Sequence, residues 1–163
     1  SRSDAYALTR AADRGIPSEV VRRKDFEDQA AYEDALASLM RENKIDLIVL
    51  AGFMSILSKA FTDRFPQRMI NIHPSLIPSF CGKGFYGIHV HEAALRYGVK
   101  VSGATVHFVN EIPDGGQIIR QKAVPVLPGD TPESLQKRVM EEAEWIILPE
   151  ATEEIAARLL AEA

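Results

Sequence analysis

Asn71 and His73 are polar side chains in an otherwise apolar stretch, where they alternate with Ile70 and Ile72. On a β-strand, side chains two residues apart project from the same face, so this amide and this imidazole can converge on one small group. An amide N–H can stabilise a developing oxyanion, and an imidazole moves a proton near neutral pH. The pair therefore suits acyl transfer, and the alternative is a structural hydrogen-bonded pair inside a sheet.

A carboxylate is supplied by Asp114, which lies in the turn 110–116 together with Gly115 and Gly116. Paired glycines permit positive φ angles and a close approach of the backbone. Beside His73, this carboxylate would favour the imidazolium and fix its tautomer. The alternative is an aspartate whose oxygens accept hydrogen bonds from its own turn, and the sequence leaves both open.

The other histidines and the lone cysteine give weaker signals. His89 and His91 lack a third ligand at a suitable spacing, so we expect them at the start of a helix and predict no metal site. His107 lies in the apolar segment 106–109 and is interpreted as a buried residue that supports the site. Nothing in the sequence fixes Cys81 against a histidine, so a nucleophilic thiol is disfavoured.

Composition bounds the class of protein. The chain has 163 residues, of which 46% are hydrophobic and 26% charged, as is typical of one folded domain. A net charge of −4 argues against nucleic-acid or acidic-membrane partners. The apolar run 45–54 is shorter than the roughly 20 residues that cross a bilayer as a helix. One cysteine and no charged-then-apolar leader predict a cytoplasmic location.

Periodicity and turn residues predict which elements position the candidate residues. Helices are expected at 5–14, 26–40, 58–65 (or from 55), 90–97 and 132–160, with N-caps at Asp25 and Thr131, an end at Gly98 and a kink or break at Pro149. Strands are expected at 16–21, 45–53, 69–73, 101–109 and 117–126, the first and last at sheet edges and the second central and buried on both faces. The buried stripe of the last helix is predicted to be Leu135, Val139, Ala143, Ile146 and Ile147.

This alternation predicts an α/β fold with an open, mostly parallel, doubly wound (Rossmann-like) sheet in a single domain. Ligands of such sheets bind beyond the carboxyl ends of the strands. The long segment 74–87, which is rich in glycine, proline and aromatic residues, is therefore expected to be a functional loop near His73.

Three motifs carry a resemblance to a known family. They are 71–78 (NIHPSLIP), 106–109 (VHFV) and 114–116 (DGG), with further similarity at 51–54, 98–103 and 124–131. In these motifs the chain resembles the folate-dependent formyltransferases, and the similarity runs from residue 4 to the last helix. It is most similar to the branch of that family that serves purine biosynthesis.

The resemblance implies transfer of a formyl group from 10-formyltetrahydrofolate, a co-substrate, to the amine of glycinamide ribonucleotide. Asn71, His73 and Asp114 fall on the family's catalytic residues. Asn71 and a protonated His73 would stabilise the oxyanion, while Asp114 would hold His73 and an ordering water. The implied folate pocket consists of Phe53, Met54, Ser55, Leu57, Val109 and Asn110, with the 110–114 backbone around the pterin. The reaction needs no metal. Whether the protein forms a homodimer stays an open question.

The sequence departs from the family pattern at three places. The family opens with a strand and a Gly-Ser-Gly-Ser-Asn type loop that binds the ribonucleotide phosphate. The sequence from Ser1 onwards lacks both, so we interpret 1–163 as one formyltransferase domain that is incomplete at its N-terminus. The loop 79–87 is longer than is common in the family, and Lys83 in it could meet phosphate. A late Glu-His pair is Glu144-Trp145 here, and Glu144 is the candidate substrate contact.

Two other functions stay open. A formyltetrahydrofolate hydrolase would use the same three residues and pass the formyl group to water. A non-catalytic folate-binding fragment would lack turnover because the phosphate loop is missing. A methionyl-tRNA formyltransferase is less consistent with the sequence, since that branch adds a C-terminal RNA-binding domain.

Overall fold

A computed structural model describes residues 3–162, so Ser1, Arg2 and Ala163 lie outside the described residues. The chain divides into two units, residues 1–45 and 46–163, which are described separately. The interpretation of 1–163 as one domain stays a prediction. Within residues 3–162, every helix is too short or too polar to cross a lipid bilayer.

The first unit contains two α-helices, α1 (Tyr6–Asp13) and α2 (Gln29–Glu42), with a 3-10 turn at Arg23–Asp25 between them. The predicted edge strand at 16–21 is wrong: this segment is irregular and mostly exposed, and none of the described strands pairs with it. The predicted cap at Asp25 is also wrong. Asp25 forms an ion pair with Arg22 at 2.7 Å, and the Asp28 carboxylate instead accepts from the Ala31 N–H at 2.8 Å.

The second unit holds a sheet whose described strands are β1 (Ile48–Leu50), β2 (Met69–His73), β3 (Val101–Phe108) and β4 (Ile118–Pro125), in that spatial order. The short helix α3 (Lys59–Thr62) connects β1 to β2, and α4 (Ile88–Tyr97) lies between β2 and β3. Ser58 is the N-cap of α3, which confirms one of the two predicted starts of this helix. Gly98, in the left-handed region at φ +81°, ends α4 as predicted.

The α/β class is confirmed, and the pairing refines it. β1 and β2 are parallel, as predicted, whereas β2–β3 and β3–β4 are antiparallel, so the sheet formed by the described strands is mixed. A short connection such as 109–117 reverses the chain and can join only antiparallel neighbours. The predicted central strand at 45–53 shortens to β1, which pairs with β2 alone among the described strands and leaves Val49 38% exposed. β4 lies at an edge, as predicted.

The C-terminal region is one long helical run rather than two pieces. Thr131 and Pro132 start α5 (Pro132–Val139) with a capping box, as the sequence predicts. A π turn (Met140–Glu144) leads into α6 (Trp145–Ala161), which continues through Pro149, so the helix does not break there and only the predicted kink stays open. The proline ring conflicts with the carbonyl four residues earlier, that of Trp145, where the π turn already gives way to the α-helix.

The core lies between this helical run and one face of the sheet. The buried helical residues recur every four positions: Leu135, Val139, Ala143, Ile147, Ala151, Ile155 and Leu159. They pack with Ile70, Ala104, Val106 and Val124 of the strands. A four-residue repeat drifts by about 40° per step on a straight α-helix, and the wide π turn offsets part of that drift. The predicted burial of Ile146 is wrong for this reason, since Ile146 is 41% exposed.

Candidate active site

The face of β2 opposite the core carries Asn71 and His73. Their neighbours across the antiparallel pair are His107 and Thr105, so the β2–β3 register gathers four polar side chains on this face. His73 is 4% exposed and His107 is 2% exposed, whereas Asn71 is half-buried. The alternation seen in the sequence therefore produces the predicted common face.

Asp114 enters this cluster from the turn between β3 and β4. Its Oδ2 lies 3.4 Å from His73 Nδ1 and accepts from the Gly82 N–H at 2.8 Å, while its Oδ1 lies 3.5 Å from His107 Nε2. Asp114 has a φ of +56°, a left-handed conformation that aspartate tolerates better than most residues. The structure thus brings together the three side chains that the sequence nominated, and their catalytic roles stay predictions.

Gly116 explains why a paired glycine follows this aspartate. A Cβ at Gly116 would overlap the Phe108 carbonyl oxygen, and the Phe108 N–H donates to the Gln117 carbonyl at 2.8 Å. The turn therefore closes directly against the end of β3, which holds Asp114 over His107.

Two backbone carbonyls fix the tautomers of the clustered imidazoles. A carbonyl oxygen can only accept, so His107 Nδ1 carries the proton it donates to the Phe108 carbonyl at 2.7 Å. His107 Nε2 is then an acceptor for the Asn71 side-chain N–H at 3.2 Å. In the same way, His73 Nε2 donates to the Phe80 carbonyl at 2.9 Å, which leaves Nδ1 as the proton-accepting atom beside Asp114.

Burial and a neighbouring charge act in opposite directions on the pKa of His73. Burial lowers the pKa of His73 below its ordinary value, and this effect exceeds the opposite effects of the Phe80 carbonyl and the Asp114 charge. The Asp114 charge thus favours the imidazolium, as expected, although burial outweighs it. Burial raises the pKa of Asp114, but a hydrogen bond from the protonated form of the His107 ring, the Gly82 N–H and the charges of protonated His73 and His107 outweigh it, so that pKa is lowered.

A cavity of about 510 Å³ opens in front of these residues, within the range of small-molecule sites. Asn71, His73, His107 and Asp114 form one wall. All six residues predicted to bind folate also line it: Phe53, Met54, Ser55, Leu57, Val109 and Asn110. Lys83 lines it as well, on the segment 74–87 that was expected to be a functional loop.

Glu144 is the one nominated residue that the structure leaves outside the cavity lining. It ends the π turn and is half-buried, and burial raises the pKa of its carboxyl. The neighbouring Trp145 is 61% exposed. A contact between Glu144 and substrate stays a prediction.

Cys81 and the helical histidines play no visible part in the cluster. Burial and the Asp114 charge raise the pKa of the Cys81 thiol, which disfavours the thiolate. His89 pairs with Glu92 at 2.9 Å, and the buried His91 has no hydrogen-bond partner for either ring nitrogen among the described residues. Across residues 3–162, no group of three or more histidine, cysteine, aspartate or glutamate side chains is arranged to hold a metal ion.

The structure adds features that the sequence analysis missed. The Phe80 carbonyl binds His73 and the Gly82 N–H binds Asp114, and backbone groups leave no residue-type signal. Residues 82–87 also have the spacing G-x-G-x-x-G and open α4. A dinucleotide fingerprint begins directly after a strand, whereas this segment starts well after β2 ends at His73, so the spacing alone assigns no nucleotide.

Comparison with known proteins agrees with this geometry. Residues 1–152 match the family described as formyl transferase. The chain belongs to the formyl transferase family. It is 41% identical over 149 residues to the phosphoribosylglycinamide formyltransferase of Haemophilus influenzae, covering 91% of this chain and 68% of that protein. It is 45% identical to the trifunctional purine biosynthetic protein adenosine-3 of Bos taurus over 96% of this chain, which spans 15% of that protein.

The solved formyl transferases share the fold. The crystal structure of phosphoribosylglycinamide formyltransferase from Brucella melitensis superposes with a TM-score of 0.86 at 43% identity, covering 96% of this chain and 77% of that one. At this identity, the likeness extends beyond a shared architecture to the same family. It confirms the expected Rossmann-like α/β class.

Proposed function

We propose that this protein transfers a formyl group from 10-formyltetrahydrofolate to the amine of glycinamide ribonucleotide, a step of purine biosynthesis. The observation that carries the proposal is the meeting of Asn71, His73 and Asp114 at one wall of a cavity. The names of the similar proteins from Haemophilus influenzae and Brucella melitensis support the choice of acceptor.

Asn71 would stabilise the charge that develops on the formyl oxygen. One of its two side-chain N–H groups donates to His107 Nε2, which fixes the amide with its nitrogen toward β3. The second N–H is then available to an oxyanion formed when the amine attacks the formyl carbon. Because the His107 tautomer is set by the Phe108 carbonyl, this donor is oriented before substrate binds.

His73 and Asp114 would move the proton. His73 Nδ1 can accept the proton that the attacking amine loses and return it to the leaving nitrogen of the donor. The Asp114 carboxylate, 3.4 Å away, stabilises the transient imidazolium. The lowered pKa of His73 supports this cycle, since a neutral ring is needed to take the first proton.

The cavity suits a flat bicyclic ring of a formyl donor. Apolar side chains from two segments line it, including Phe53, Leu57 and Val109. The segment 110–114 adds backbone polar groups that can orient such a ring. The amine is itself a nucleophile, so attack on the formyl carbon requires neither a covalent intermediate with the protein nor a metal.

The remaining assignments belong to the same proposal. Lys83 at the cavity lining is proposed to meet the substrate phosphate, and Glu144 to contact the ribonucleotide. A cytoplasmic location rests on the single cysteine, and a homodimer stays open.

The test measures formyl loss from 10-formyltetrahydrofolate with and without glycinamide ribonucleotide. We expect loss that requires the ribonucleotide, together with formylated product. Loss at the same rate without it would support a hydrolase instead, and folate binding without turnover would support a non-catalytic module. Asn71→Ala should abolish most of the activity, whereas Asn43→Ala, the same change on the first unit, should not.

A further inference from the structure

We propose that Thr105 and Gln121 are positioning residues that hold the loop after β2 so that the Phe80 carbonyl keeps the proton of His73 on Nε2. This inference rests on the proposed function for its meaning in catalysis. Its structural content, a controlled tautomer of one imidazole, can be tested separately.

The Thr105 hydroxyl uses its whole hydrogen-bonding capacity on this loop. It donates to the Ser75 carbonyl at 2.6 Å and accepts from the Ile77 N–H at 3.1 Å and from Gln121 Nε2 at 3.0 Å. A hydroxyl has one donor and two acceptor sites, so none is left over. Thr105 is fully buried, which makes each of these bonds costly to lose.

Gln121 ties the same loop to the edge strand. Its Nε2 also donates to the Ile77 carbonyl at 3.0 Å, so both hydrogens of the amide are used. Thr105 lies opposite His73 on β2 and opposite Gln121 on β4, so the three side chains form one row across the sheet.

Within the loop, a further hydrogen bond positions Phe80. The Ser75 hydroxyl donates to the Ser79 carbonyl at 2.5 Å, and Phe80 follows with a φ of +49°. In that conformation its carbonyl meets His73 Nε2 at 2.9 Å. The row of side chains and the loop thus form one hydrogen-bond network, which starts on the sheet beside His73 and ends at the carbonyl that binds His73.

Loss of this hydrogen-bond network has a defined chemical consequence. If the Phe80 carbonyl moves away, the proton of neutral His73 can shift to Nδ1 and be donated to Asp114, 3.4 Å away. The atom proposed to accept the proton of the amine would then already carry one. Thr105 and Gln121 would therefore control turnover without touching substrate.

The experiment compares Thr105→Val, which keeps the shape and removes the hydroxyl, with Thr105→Ser, which keeps the hydroxyl. Gln121→Met removes the other hydrogen bonds to the loop. Because Gln121 is exposed, this variant tests the proposal even if the buried Thr105→Val variant does not fold. Thr62→Val is the matched control, because that buried threonine donates to the Lys59 carbonyl of its own helix. The readout is the pair of ¹⁵N chemical shifts of the His73 ring at a pH where it is neutral.

We expect the Nε2–H tautomer in the parent, Thr105→Ser and Thr62→Val, and a clear gain of the Nδ1–H tautomer in Thr105→Val and Gln121→Met. In formyl transfer, the last two should lose about 10-fold in kcat with a smaller change in KM for the formyl donor. An unchanged tautomer in the folded Gln121→Met protein would overturn the proposal. Absence of formyl transfer in the parent would instead count against the proposed function and leave the tautomer test standing.

Discussion

One face of the β2–β3 pair is apolar and sealed, whereas the other carries the polar cluster at the cavity. On the first face, Ile70, Ala104 and Val106 are fully buried against the C-terminal helical run. On the second, Asn71, His73 and His107 are linked to one another or to backbone carbonyls. The two sets of residues alternate along the same two strands.

This difference shows how a stable core can set the geometry of a reactive site. A slip of one residue between β2 and β3 would move the apolar side chains to the cavity and the polar ones to the core. Burial of the apolar face therefore enforces the register that places Asn71 opposite His107. The comparison predicts that changes on the two faces have separable effects.

The largest effect is expected on the polar face. Asn71→Ala should lower kcat by about 100- to 1000-fold, because the amide contributes chiefly to the oxyanion of the transition state. The affinity for a folate analogue should change by less than about 2-fold, since the amide contributes little to binding in the ground state. Steady-state kinetics and equilibrium binding measure the two quantities, and a kcat equal to that of the parent would refute the role.

The adjacent change on the apolar face should act on stability instead. Ile70→Ala should lower the free energy of unfolding by about 3 kcal/mol, because it leaves a cavity in the core. The kcat of the folded protein should stay near the parent value. Urea unfolding and kinetics on the same sample test this, and a loss of kcat as large as that of Asn71→Ala would break the distinction between the faces.

His91 sharpens the comparison, because among the described residues it is buried without the hydrogen-bond partners that the cluster histidines have. Burial, with a smaller effect of His73, lowers its pKa from the ordinary 6.5 to about 4. Between these two values the unfolded chain binds a proton that the folded chain does not, so stability falls as the pH falls, by up to about 3 kcal/mol.

Unfolding in urea at several pH values would measure this slope. His91→Leu should flatten it, whereas His89→Gln, at an exposed position, should leave it intact. An unchanged slope in His91→Leu would show that other groups cause the acid sensitivity.

The smallest effect is expected from Asp114→Asn on the titration of His73. The Asp114 charge raises the pKa of His73 against the larger lowering by burial, so removing that charge should move the pKa further down. A proton NMR titration of the His73 ring measures this, with Asp63→Asn, at the C-cap of α3, as the control. A pKa that stayed in place or rose would contradict the coupling of the two groups.

The sequence predicted the parts of this molecule that local chemistry determines. The alternation around Asn71, the end of α4 at Gly98 and the cap at Thr131 all follow from side-chain type and spacing. The segment 16–21 has β-forming residues but no paired strand among those described. Ile146 is an apolar residue suited to the core, but the π turn before it leaves its side chain exposed. Such outcomes depend on tertiary packing, which a local pattern does not contain.

The candidate site divides in the same way. The nominated side chains could be recognised by type, and the family resemblance linked Asp114 to His73. The Phe80 carbonyl and the Gly82 N–H could not be recognised, because every residue carries the same backbone groups and their direction depends on φ angles. Thr105 and Gln121 are ordinary strand residues until the register places them in one row with His73.

The left-handed backbone of Asp114 affects how mutational scans of this site should be interpreted. Alanine at this position would remove the charge and would also have to adopt a conformation that residues with a plain Cβ disfavour. A loss of function in Asp114→Ala would therefore combine an electrostatic defect with a deformed turn, whereas asparagine, which accepts the same dihedral angles, isolates the first.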